Sequence, residues 1–142
     1  MEELGINMMA ILVAVVANFV LGYLWYTPLF GKVWAREMGF DTSGNPSAAR
    51  LASGMTLMVI GNFFLAFVFA HNIVAWSFVP GTSEMSKSAS ILNAVGFTWL
   101  GFFLPMDLSR LAWENRSLKL FAINTGYHFT LLLVAAVIIY YM

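Results

Sequence analysis

The sequence lacks cysteine and is poor in charge. None of its 142 residues is Cys, which excludes disulfides, thiolate catalysis and Cys-ligated metal sites. Charged residues make up 10% of the chain, whereas soluble domains carry about 25%. Lys and Arg together equal Asp and Glu in number, and no basic stripe is present. We therefore expect no nucleic-acid partner.

Apolar residues dominate what remains. They make up 61% of the chain, aromatic residues make up 16%, and the mean hydropathy is +0.80. A soluble chain is roughly 45–50% apolar, so a water-soluble domain of this length could not bury so much apolar surface. The composition predicts a polytopic membrane protein.

Several apolar runs approach or exceed the roughly 20 residues that a helix needs to cross a bilayer. These runs are residues 6–26, 51–76, 88–104 and 118–141. Backbone groups in lipid must pair internally, and the runs are continuous rather than alternating, which favours helices over a barrel. We predict an all-α membrane protein with a single four-helix transmembrane domain over residues 1–142.

The distribution of Lys and Arg predicts the orientation. Six of the seven basic residues follow the first or the third span: Lys32, Arg36, Arg50, Arg110, Arg116 and Lys119. Only Lys87 lies between the second and third spans. Because positive residues accumulate in cytoplasmic loops, we expect loops 27–50 and 105–117 in the cytoplasm and both termini outside.

Local signals mark the ends of the helices. Asn45 and Pro46 are typical of the cap and first residue of a helix leading into the second span, and Ser117 of a cap for the fourth. Pro80-Gly81 predicts a turn between the second and third spans. We expect the segment 41–46 to be the most flexible part of the chain.

A short amphipathic segment, 28–38, follows the first span. Thr27-Pro28 can begin a helix and Gly39 can end it. Its apolar residues share one stripe, and Lys32 and Arg36 lie on the other side. We predict a cytoplasmic interfacial helix held at headgroup depth by Trp25, Tyr26 and Trp34. The segment could serve as an anchor or as a gate, and a looser interfacial helix is expected after the third span.

The segments LGYLWYTPLFGKVW (21–34) and LGFFLPMDLSRLAW (100–113) align without gaps. Matching Leu, Gly and Trp positions could reflect a parallel 2+2 duplication of a two-helix unit. Leu-rich segments also align by chance, so the alignment leaves both readings open.

No Asp, Glu, Lys or Arg falls well inside these runs, which argues against a carboxylate-driven antiporter. Asn18, Asn62 and His128 lie roughly 12, 16 and 14 Å from the basic ends of their spans. Asn124 lies one turn from His128 on the same helix face. This polar cluster could join helices by hydrogen bonds or line a small pocket, with His128 as its titratable group. Without acids or Cys beside them, the two histidines make no metal site.

Two motifs resemble the signature of a known group. LGYLWYTPLFGKVW (21–34) is similar to L-G-x-L-W-Y-[ST]-P-x-x-F-G-x-x-W, with one residue fewer between Pro28 and Phe30, and NTGYH (124–128) to N-x-G-Y-H. Both signatures are those of an uncharacterised bacterial domain-of-unknown-function family of small four-helix inner-membrane proteins, which this chain resembles. The resemblance implies four helices and a bacterial inner-membrane location, but no substrate or catalytic residue. It singles out Trp25, Tyr26, Pro28, Phe30, Gly31, Trp34, Asn124, Tyr127 and His128.

Three functions are compatible with these features. We favour a homo-oligomeric transport or channel-like module whose pathway is lined by the polar cluster. The alternative is a non-catalytic accessory subunit that packs on lipid or on a membrane-protein partner through its Met- and Phe-rich faces. An enzyme using His128 as a base, assisted by Tyr127 or Asn124, lacks a nucleophile or phosphate-binding loop. We therefore expect no enzymatic activity, no catalytic residue and no cofactor.

Overall fold

The structure is a computed structural model that describes residues 5–40, 47–82 and 84–142, and these residues form helices and short connections without strands. Among these described residues, four helical stretches are long and apolar enough to cross a membrane: Met8–Leu29, Ala48–Ser77, Lys87–Trp113 and Leu118–Tyr141. The prediction of an all-α protein with four membrane-spanning helices is confirmed.

The first span consists of α1 (Met8–Leu24) and a π-helical turn, Trp25–Leu29, that contains Pro28. Pro28 has no N–H to donate and its ring crowds the preceding turn, which accounts for the wider turn at this point. The N–H of Phe30 closes the turn by donating to the Trp25 carbonyl, 2.9 Å away. The predicted helix start at Thr27-Pro28 is therefore wrong, because the first span continues through both residues.

Helix α2 (Gly31–Met38) follows directly and ends at Gly39, which has the left-handed conformation expected of a C-cap (φ 70°). The helix is three residues shorter at its start than the predicted 28–38, since residue 30 breaks the regular backbone. Its position in the membrane interface stays a prediction.

Helix α3 (Ala48–Ser77) has Ser47 as its N-cap, with the hydroxyl accepting from the Arg50 N–H at 3.3 Å. The predicted cap at Asn45-Pro46 and the predicted flexible segment 41–46 lie outside the described residues. The predicted turn at Pro80-Gly81 is present, with Gly81 at a φ of 88°.

The third span extends well beyond its predicted end at 104. It consists of α4 (Lys87–Thr98), a second π-helical turn (Trp99–Phe103) and α5 (Leu104–Trp113). Pro105 does not end the helix because it lies in the first turn of α5, where proline is tolerated. The predicted loop 105–117 is thus helical up to Trp113.

Helix α6 (Leu118–Tyr141) has Ser117, the predicted N-cap, directly before its first residue, and it packs against α1, α4 and α5. Small residues let α1 approach its neighbours closely, and Ala10, Ala14 and Gly22 are buried. A Cβ at Gly22 would meet the Met58 side chain and lie 3.0 Å from the Tyr127 hydroxyl. Helix α1 therefore touches both α3 and α6 at this level.

Both π-helical turns begin with a tryptophan, Trp25 in the first span and Trp99 in the third. The predicted repeat aligns Trp25 with Leu104 instead, so the two turns correspond in a different register. That register matches GYLW (22–25) with GFTW (96–99). The duplication stays a prediction.

Candidate functional site

The two sequence motifs pack against each other. The indole Nε1 of Trp25 donates to the carbonyl of Ile123 in α6, at 3.1 Å. A Cβ on Gly126 would lie 3.5 Å from the Trp25 ring, so this glycine lets the indole lie close against α6. The motif at the end of the first span therefore docks on the motif in α6.

Tyr26 makes the second contact between the motifs. Its hydroxyl donates to Oδ1 of Asn124, at 3.1 Å. Its ring lies edge-on to Trp34 of α2 and Tyr127 of α6, with centroids 5.3 and 4.9 Å away. Tyr26 thus joins the first span, α2 and α6 at one point.

The other motif residues shape the turn that places these two side chains. A Cβ at Gly31 would lie only 2.7 Å from the carbonyl oxygen of Tyr26, so the backbone has room for glycine alone. Phe30 packs on Trp25 with ring centroids 4.9 Å apart. Pro28 is exposed and contributes through the backbone. These residues shape the backbone turn and do not supply reactive groups.

An acid lies beside His128. Oδ2 of Asp107, from α5, is 2.7 Å from Nδ1 of His128. The Asp107 side chain is 2% exposed and that of His128 is 20% exposed. Arg110, one turn along α5, reaches the other carboxylate oxygen at 3.7 Å. Asp107 belongs to the third stretch that is long and apolar enough to cross a membrane, Lys87–Trp113, which continues past the predicted end of the span at 104.

The second π-helical turn explains why regular helical spacing does not predict the direction in which Asp107 points. Asp107 follows Trp99 by eight residues, and in a regular helix it would point roughly 80° away from that side chain. A π-helical turn adds one residue without changing the face, which reduces the difference to about 20°. Trp99 donates to the Thr125 carbonyl of α6 at 3.1 Å, so Asp107 also faces α6.

A cavity of about 390 Å³ opens beside this pair, at the end of the bundle that carries most of the basic residues. Its walls come from the first π turn, α2, α5, the connection after α5 and α6. The lining residues are Tyr26, Trp34, Met38, Asp107, Arg110, Leu111, Glu114, Arg116, Leu120, Phe121, Asn124 and His128.

Helix α2 forms one wall of this cavity through Trp34 and Met38. The sulfur of Met38 lies 3.8 Å from Nη1 of Arg116, which crosses from the connection before α6. The segment predicted as an anchor or gate therefore borders the site directly.

The predicted polar cluster divides into two parts. Asn124 and His128 line the cavity, whereas Asn18 and Asn62 do not. Asn18 is completely buried and Asn62 is 6% exposed. Neither amide atom of Asn18, nor Nδ2 of Asn62, has a hydrogen-bond partner among the described residues.

Sequence comparison places the chain in a family. The family model described as "Protein of unknown function (DUF1761)" matches residues 9–140. No curated protein and no solved structure matches the chain.

Proposed function

The chain belongs to the DUF1761 family of proteins of unknown function, and we propose from its site that it is a small transport module. It binds a polar solute in the cavity beside His128, and the His128–Asp107 pair exchanges a proton during transport. The observation that carries this proposal is the 2.7 Å contact between these two side chains at the wall of an open cavity.

The pair suits proton exchange for two reasons. Histidine is the side chain whose charge ordinarily changes near neutral pH, and an ionisable residue within a membrane span is functional more often than structural. With Asp107 ionised, its carboxylate accepts from Nδ1 of His128, and Nε2 is left to exchange a proton with a solute or with water.

The lining of the cavity favours a solute that carries both charge signs. Arg110 and Arg116 contribute positive charge, and Asp107 and Glu114 contribute negative charge. Tyr26 and Asn124 add neutral polar groups. The volume of 390 Å³ falls in the range of roughly 300–1,000 Å³ that is typical of small-molecule sites. A zwitterion the size of an amino acid satisfies these features.

We propose that the cavity faces the cytoplasm of a bacterial inner membrane, because six of seven basic residues lie at its end of the bundle. Four helices barely enclose a pathway alone, so the working unit is proposed to be a homo-oligomer. Mass measurement of the protein purified in mild detergent tests this point, and a monomer contradicts it.

Uptake into proteoliposomes tests the transport function. With an inward proton gradient, vesicles containing the protein should accumulate a radiolabelled amino-acid mixture, and a protonophore should abolish the accumulation. His128→Gln and Asp107→Asn should remove uptake while the protein remains folded.

His71→Gln is the matched control for this assay. The His71 ring bonds to the carbonyl of Phe67 in its own helix, with Nδ1 2.7 Å from the oxygen. The ring does not line the cavity, so uptake should persist in this variant. Absence of uptake by the folded wild-type protein, or equal loss in His71→Gln, would count against the proposal.

The same pair makes acid–base catalysis a second candidate. An aspartate that orients a histidine through Nδ1 is how many enzymes prepare a base. Transport is preferred because no Ser, Thr or Cys nucleophile occurs among the cavity-lining residues that the structure describes. Chemical conversion of a solute by detergent-solubilised protein, lost in Asp107→Asn, would favour catalysis.

A further inference from the structure

Two buried asparagines lie outside the cavity and carry unpaired amide groups. Asn18 of α1 is 0% exposed, and both its Nδ2 and its Oδ1 lack a protein partner in the described parts of the chain; Nδ2 of Asn62 in α3 also lacks one. A buried polar group without a hydrogen bond is destabilising, and native proteins rarely leave one unsatisfied. These amide atoms therefore call for a bound partner.

The helix register places the two asparagines at the same level. Gly22 of α1 packs against Met58 of α3 and the Tyr127 hydroxyl. The first and second spans run in opposite directions, so one turn back in α1 and one turn forward in α3 lead to the same depth. One turn back from Gly22 is Asn18, and one turn forward from Met58 is Asn62. Both lie about 6 Å deeper in the bundle than Gly22.

The chemistry of the site selects its ligand. Amides donate and accept hydrogen bonds but carry no charge, and Met58 and Tyr127, which pack at Gly22 one turn away, are uncharged at neutral pH. A metal ion would need more oxygen ligands, and an anion would need a basic partner. Water satisfies both donors and acceptors and is the usual occupant of such polar sites.

We propose that Asn18 and Asn62 bind ordered water between α1 and α3, one helical turn beyond the Tyr127 hydroxyl. The Tyr127 ring packs on Tyr26, with centroids 4.9 Å apart, and Tyr26 lines the cavity. The packed rings of Tyr26 and Tyr127 thus lie between the cavity and the proposed water site. The inference goes beyond the proposed transport function, because it rests on Asn18 and Asn62 alone and requires no solute.

Radiolytic footprinting in lipid nanodiscs tests the site. X-ray-generated hydroxyl radicals oxidise side chains next to bound water, and Met58 lies one turn from Asn62 on the same helix face. In the wild-type protein, Met58 should be oxidised and should carry ¹⁸O when the sample is prepared in H₂¹⁸O. Asn18→Leu and Asn62→Leu should each lose this oxidation, because each variant removes one of the two amides that hold the water.

Asn72→Leu in α3 is the matched control and should leave Met58 oxidation unchanged. Thermal unfolding verifies that each variant is folded; if Asn18→Leu is not, Asn62→Leu decides the question. A wild-type protein whose Met58 is not oxidised overturns the proposal, as does unchanged oxidation in a folded leucine variant. The readout requires no transport, so failure of the water site and failure of the transport function give separate results.

Discussion

Asp107 Oδ2 lies 2.7 Å from His128 Nδ1 and links α5 to α6 inside the bundle. The carboxylate is almost fully enclosed, and its second oxygen is paired only at 3.7 Å, with Arg110. In such surroundings, removing one partner leaves the other without compensation. The pair therefore bears on stability as well as on the proposed proton exchange.

We expect a double-mutant cycle of Asp107→Ala and His128→Ala to show strong coupling. The interaction free energy should be about 1–3 kcal/mol, since the two groups touch in a poorly solvated place. Unfolding of the single and double variants in mixed detergent–SDS micelles measures it.

Glu114 and Arg116 provide the control cycle for this experiment. They form an ion pair of 3.4 Å, but both side chains are substantially exposed. Their coupling should stay below about 1 kcal/mol, as is usual for solvated pairs. Equal coupling in the two cycles would contradict the special environment assigned to Asp107 and His128.

Gly31→Ala is expected to destabilise the protein. The added methyl group would lie 2.7 Å from the Tyr26 carbonyl oxygen, and backbone atoms cannot move aside as a flexible side chain can. The expected loss is about 1–3 kcal/mol, the usual cost of overpacking. The same detergent unfolding assay measures it.

Gly54→Ala and Gly61→Ala are the matched controls for this substitution. Both positions lie inside α3, where a Cβ would meet nothing within 4 Å. Alanine is the better helix former there, so each variant should gain up to about 1 kcal/mol. A Gly31→Ala protein as stable as these two would contradict the turn geometry.

The four membrane-spanning helices could be predicted from the sequence, whereas the position of Asp107 beside His128 could not. The four helices follow from long apolar runs, and Gly39 and Ser117 mark helix ends through local backbone chemistry. A π-helical turn depends instead on packing between distant segments. Trp99 donates to the Thr125 carbonyl at the start of such a turn, and the turn then rotates Asp107 toward α6.

The predicted polar cluster is likewise divided by the packing of the helices. Depth along each helix can be counted from the sequence, and this count groups Asn18, Asn62 and His128. The face that each residue presents depends on how the helices pack, and packing separates Asn18 from the cavity that His128 lines. Spacing alone therefore could not identify Asp107 as the partner of His128.

The tryptophans of the two π-helical turns should contribute similarly to stability. Trp25→Phe removes the hydrogen bond to Ile123, and Trp99→Phe removes the one to Thr125. Each should cost about 0.5–1.5 kcal/mol beyond the change in ring size. Trp113→Phe is the control, since Trp113 is 87% exposed. Thermal unfolding measures the stability of all three variants. A loss in Trp113→Phe as large as in Trp25→Phe and Trp99→Phe would contradict a role for the indole N–H groups.

The absence of cysteine makes the orientation directly measurable with single-cysteine variants. Two exposed residues lie at opposite ends of the bundle: Phe78, which follows α3, and Phe40, which follows α2. Six of the seven basic residues lie at the end of Phe40, and this end should face the cytoplasm. A membrane-impermeant maleimide added to intact cells should label Phe78→Cys, whereas Phe40→Cys should react only after permeabilisation. The reverse pattern would place the cavity and the His128–Asp107 pair on the outer side, so that solute would enter the site from outside the cell.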